Sequence, residues 1–200
     1  MQFRETVLVA SFLLMFPLSP LAQHLSQGEL SKTPYAGLQT REIKSLSERD
    51  ISELKRGAGW GLALPAELNG WPGPVHVLEL KEDLNLSGEQ IEKLHEIYDG
   101  MRAEAIEIGA RLIESERALD KSFAGERLGE KKLRALLRDA SEAREDLRYV
   151  HLSRHLMTAD LLSSDQIQEY AVLRGYREHS CDSAPKGHDE EMWRRHNGCE

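Results

Sequence analysis

Residues 86–91 read Leu-Ser-Gly-Glu-Gln-Ile, and residues 162–167 read Leu-Ser-Ser-Asp-Gln-Ile. Each hexad is a complete helix-start signal. The serine hydroxyl (Ser87, Ser163) suits an N-cap that accepts from the backbone amide three positions on. The glutamine there (Gln90, Gln166) reaches back to the serine amide, closing a capping box. The leucine before (Leu86, Leu162) and the isoleucine after (Ile91, Ile167) are placed to pack as a hydrophobic staple. Glu89 and Asp165 add an acidic charge at the positive end of the helix dipole.

Between the two signals lie two long amphipathic runs. Ile91, Leu94, Tyr98, Met101, Ala105, Ile108 and Leu112 recur at alternating spacings of three and four, the pattern of a helix with a coiled-coil-like seam. The period breaks near Gly125–Gly129. It resumes through Leu133, Leu136, Ala140, Ala143, Leu147 and Val150 to Met157 and Leu161, with Arg154 on the seam. Two long helices with a short connection predict an antiparallel hairpin. A last short helix is expected from Ser164 to Arg174, ended by Gly175. The fold expectation is all-α: a long antiparallel helical hairpin with short flanking helices, over residues 75–176.

Upstream, residues 45–74 read as a short helix and Gly/Pro-rich turns. Ser47 is its N-cap, Ile51 and Leu54 its apolar face, and Gly57 its stop. Leu62–Leu68 suits one or two helical turns, and Pro74 suits a first helical position in an element running to about Asn85. Trp60 and Trp71 read as pins fastening this segment to the long helices, with a client-binding aromatic surface as the sharper alternative. Residues 23–44 are polar, with Gly28, Pro34 and Gly37 scattered through them, and read as a flexible lead. Residues 177–200 form a polar tail containing histidine and cysteine.

The paired hexads, with Ser163 following Ser87 by 76 positions, resemble the two LTxxQ motifs of the Spy/CpxP family of periplasmic proteins, serine standing for threonine in both. The Gly-rich and Trp-Pro-Gly lead resembles that of the heavy-metal-resistance-like branch. The resemblance implies a cradle-shaped helical protein, often a homodimer, that binds unfolded or misfolded envelope proteins without ATP, or that senses envelope stress or heavy metals such as Zn, Cu or Ni. It implies no enzymatic activity and no required cofactor.

Composition agrees with long solvated helices: 30% of residues are charged, 40% hydrophobic and only 6% aromatic. The formal net charge of -8 argues against nucleic acid, whose phosphates require a basic stripe. Arg4, an apolar run from Val7 to Leu18 and the small residue Ala22 read as a secretory signal peptide, residues 1–22, cleaved near Ala22. The run is too short to span a bilayer, and no later stretch supplies a membrane span. The expected location is the periplasm, where Cys181 and Cys199 are free to pair as a disulfide closing a loop worth roughly 3 kcal/mol of chain entropy.

Metal ligation is the second functional reading. His151 and His155 stand four apart on one helix and share a face, and the antiparallel return brings His95 to the level of residue 158 as a third donor. The tail offers His179, Cys181, His188, His196 and Cys199, a donor set suited to Zn or Cu. The plainer reading puts His155 off the apolar seam, in solvent. Phosphate-loop, G-x-S-x-G and H-E-x-x-H patterns do not occur, and the abundant carboxylates fall at helical spacing with arginines, as solvated ion-pair faces do.

Overall fold

The computed structural model describes residues 33–125, 127–177, 184 and 189–196, the side chain of His196 excepted. The signal-peptide reading, residues 23–32 of the lead, and Cys181 and Cys199 lie outside the described residues. Chain contacts separate a unit ending at Ala36, described only as a turn at residues 33–36, from a unit running from Gly37 to Glu200.

The second unit is helical: α1 (Glu48–Lys55), α2 (Leu64–Glu67), α3 (Pro74–Glu79), α4 (Gly88–Ala124), α5 (Glu130–Leu161), α6 (Ser164–Leu173) and α7 (Glu190–His196), with a 3-10 turn at Leu38–Thr40. The two long helices pack antiparallel, as the two amphipathic runs require. At 37 and 32 residues they are about 55 and 48 Å long at 1.5 Å rise per residue. Arg111 to Asp146 (2.9 Å) and Arg154 to Glu104 bridge them and mark the antiparallel register. None of the described helices is long and apolar enough to cross a membrane.

Both hexads form the capping boxes their sequence specifies. Gln90 N–H donates to Ser87 Oγ (3.2 Å) and Ser87 N–H to Gln90 Oε1 (3.0 Å); the Ser163 and Gln166 distances are 3.2 and 2.9 Å. The two glutamines also meet. Gln90 Nε2 donates to Gln166 Oε1 (2.9 Å) and to Leu161 O (3.1 Å), while Gln166 Nε2 donates to Gln90 Oε1 (3.2 Å) and to Leu84 O (3.2 Å). Each side-chain amide therefore uses both donors and both acceptor positions. The repeated motif is one joint, tying the start of α4 to the α5–α6 turn. Around it Val77, Leu84, Leu94, Leu162 and Tyr170 form an apolar cluster, with Leu86 and Ile167 packed against it.

A second cluster lies farther along the hairpin, built on Met101, Ala105 and Leu112 of α4 and Ala143, Leu147 and Val150 of α5. Leu54 of α1 closes it from the side, together with Ile43 and Leu46. Ile43 is fully buried, so the packed structure begins within the stretch expected to be a flexible lead through residue 44. α1 carries its own capping box, in which Ser47 Oγ accepts from Asp50 N–H (3.1 Å) and Asp50 accepts from Ser47 N–H (2.8 Å). The expected element from Pro74 to Asn85 is a shorter helix that ends at Glu79 and continues as turns. Asn85 there takes φ +49°, a conformation asparagine tolerates.

α1 rests directly on the α4 backbone at Gly109. A Cβ at Gly109 would stand 2.7 Å from Leu54 O, closer than carbon and oxygen approach without displacement. Gly109→Ala is therefore expected to destabilise the fold by about 1–3 kcal/mol, the usual cost of overpacking, although alanine is the better helix former. Urea denaturation checks this, and a raised midpoint would show that α1 does not sit on α4 in this way.

Candidate functional site

Past Val150 the buried face of α5 departs from the expected seam. The sequence places Arg154 and Met157 inward, but Met157 is 46% exposed, and the buried positions are His151, His155 and Thr158. The face turns because the helix here is covered by the lead as well as by α4, with both α2 and α3 touching α5. A Cβ at Gly73 would meet His155 Cε1 at 2.9 Å, so glycine lets the Trp-Pro-Gly turn lie on the imidazole without displacing it. His155 is consequently buried rather than solvated, and its Nδ1 is bonded to Trp71 O (2.9 Å).

Glu67 of α2 enters the same region and is also buried. Its Oε1 accepts from Tyr170 Oη (2.6 Å), Tyr176 Oη (2.9 Å) and Arg174 Nε (3.2 Å). One carboxylate oxygen thus ties the lead to α6 and the turn after it. Burial, followed by the bond to Glu67, raises the Tyr170 pKa. Burial opposes the charge on Arg174, yet Tyr176, Tyr170 and Glu67 together hold its pKa above the ordinary value. The other carboxylate oxygen, Glu67 Oε2, is buried without a hydrogen-bond partner, as are His151 Nε2 and Thr158 Oγ1. Along α5 this polar layer falls between the two apolar clusters. Glu67 was not singled out in the sequence, because a lone glutamate in a four-residue helix carries no spacing signal.

The expected metal donors divide. His151 and His155 are together, one turn apart and both buried, but His95 is exposed beside the buried Leu94. Among the described residues no three His, Cys, Asp or Glu side chains are grouped to hold a metal ion. His179, Cys181, His188 and Cys199 lie outside the described residues, as does the side chain of His196.

The two tryptophans take different roles. Trp60 packs against the cluster around Leu54, donates Nε1–H to Asp50 Oδ1 (2.9 Å) and stacks under the Arg144 guanidinium at 4.7 Å. It is a pin, and with Ser47 it helps hold the Asp50 pKa below the usual carboxylate value. Trp71 is 46% exposed. Together with Gly70, Pro72, Ala159, Ile167 and Arg177 it lines an open cleft of about 250 Å³. Leu68, just before this turn, and Leu156, one turn before Ala159 on α5, are also exposed. The cleft sets a mainly apolar wall beside a turn whose backbone is hydrogen-bonded to His155.

No family model, no curated protein and no solved structure matches this chain.

The buried layer makes stability depend on acidity. Burial, then the nearby charges of His155 and Arg154, lower the His151 pKa from 6.5 to about 4. Between these values the unfolded chain binds a proton that the folded chain does not, so protonation favours unfolding. His151's share of stability is complete above pH 6.5 and declines by roughly 1.4 kcal/mol per pH unit as pH falls toward 4. Urea titrations from pH 7 to 4 should show that His151→Gln loses this part of the slope; parallel slopes in the two proteins would contradict it.

Proposed function

We propose that this protein is an exported, ATP-independent chaperone-like or envelope-stress adaptor protein that holds apolar segments of unfolded proteins in the cleft beside Trp71. The observation that carries the reading is the cleft itself: Trp71 stands exposed on a mainly apolar concavity, and Leu68 and Leu156, within three residues of its lining in sequence, are exposed as well. Exposed apolar surface gathered at a concavity is how soluble proteins mark a binding site. The fixed turn supports it, since the Trp71 backbone is bonded to His155 and the neighbouring α2 is anchored through Glu67. Binding then needs little reordering of the site, which lowers its entropic cost. The leader-like first residues and the hexad pair support export and the Spy/CpxP-type role.

The test is light scattering from a chemically denatured client diluted into buffer with the mature protein, without nucleotide. Suppression of aggregation is expected for the wild type. The Trp71→Ser/Leu156→Ser double variant should retain its helical circular dichroism and lose most of the suppression, both side chains being largely outside the core. Equal suppression by the folded variant would remove the cleft as the binding surface, and no suppression by the wild type would contradict the chaperone-like reading itself.

A further inference from the structure

Resting on the reading that the cleft binds apolar segments, the composition of its wall narrows what it takes. Trp71, Ala159 and Ile167 present apolar surface to it over the buried Pro72, and among the described residues its single charged side chain is Arg177. Among the described residues no acidic side chain lines it. Arg177 is exposed and forms no ion pair among the described residues, whereas Arg174, three residues earlier, is committed to Glu67 and Tyr176. The backbone at this point is fixed: the amides of Tyr176 and Arg177 both donate to Ala171 O, at 2.8 and 3.1 Å. An unneutralised guanidinium is therefore held at the edge of an apolar cleft on a chain whose formal net charge is -8. The chain as a whole carries more acids than bases, whereas the cleft offers an anionic ligand a cation set beside apolar surface. The volume, about 250 Å³, suits one large apolar side chain and the groups next to it rather than a long extended segment.

We propose that the cleft binds the C-terminal end of a polypeptide, seating its last apolar side chain against Trp71 and Ile167 and its terminal carboxylate on Arg177. Arginine suits this role because its planar fork donates two parallel hydrogen bonds to a carboxylate. Capture of a chain end by its carboxylate is an established mode of peptide recognition, and it discriminates an unfolded or cleaved chain from a folded one whose terminus is packed away.

Fluorescence anisotropy with the full mature protein tests this, using a labelled hexapeptide ending in leucine-phenylalanine as the free acid, as its carboxamide, and as a carboxamide with an aspartate placed internally. The free acid is expected to bind roughly tenfold more tightly than either amide, the scale of one hydrogen-bonded charge. Arg177→Gln should erase that preference, so that the free acid and the carboxamide bind this variant equally. Equal binding of acid and carboxamide by the wild type would overturn the inference, and so would a preference that survives in Arg177→Gln. Binding of the internal-aspartate peptide as tightly as the free acid would replace the chain end with a side-chain carboxylate and overturn the assignment of the terminus. If the protein suppresses aggregation but binds none of the peptides, this inference fails while the apolar-segment reading stands.

Discussion

Two side-chain amides, Gln90 and Gln166, hold together the parts of the chain that the hydrophobic pattern alone leaves free. A seam of leucines and alanines aligns α4 with α5 but tolerates sliding and rotation. A pair of amides whose donors and acceptors are all engaged does not, because any shift breaks several partly buried hydrogen bonds at once, each worth about 1 kcal/mol. Each glutamine caps its own helix, bonds the other, and satisfies a carbonyl, Leu161 O or Leu84 O, at the approach to the other's helix start. Helix initiation and tertiary register are thus fixed by the same two side chains. This gives a physical reason for the same hexad to occur at both ends of the hairpin.

From that joint the remaining architecture follows outward. The α5–α6 turn brings Tyr170 back against the lead, where Tyr170, Arg174 and Tyr176 converge on one oxygen of Glu67. Once Glu67 is anchored, the Trp-Pro-Gly turn lies across His155, and Trp71 is left facing outward at the cleft. The concavity is therefore a product of the polar layer, whose buried groups are costly individually and specify one arrangement collectively. Burial of His151, with the charges of His155 and Arg154 beside it, makes that arrangement sensitive to acid.

The local signals in the sequence were sufficient for the helices and their starts. Ser87, Gln90, Ser163 and Gln166 act within four residues of one another, and the spacing of three and four read out the hairpin up to Val150. What eluded the sequence was nonlocal. A heptad-like seam extended past Val150 assumes one packing partner, but the lead is a second partner, and it turned the buried face from Met157 to His155 and Thr158. Burial of His155 depends on Gly73, 82 positions away, and the role of Glu67 depends on Tyr170, 103 positions away. The meeting of the two glutamines was likewise invisible, since each motif is already explained as a cap. Ile43 illustrates the same limit at the start of the packed region: one apolar residue in a polar stretch has no period to announce it.

The most direct test of the glutamine joint is a double-mutant cycle on Gln90→Ala and Gln166→Ala, measured by urea denaturation. If the two amides act as one unit, each single variant loses both its cap and the shared bonds, so the double variant should fall short of the sum of the singles by about 1–2 kcal/mol. Additive losses, within about 0.3 kcal/mol, would mean that the two caps act independently and that the register of the hairpin is set elsewhere.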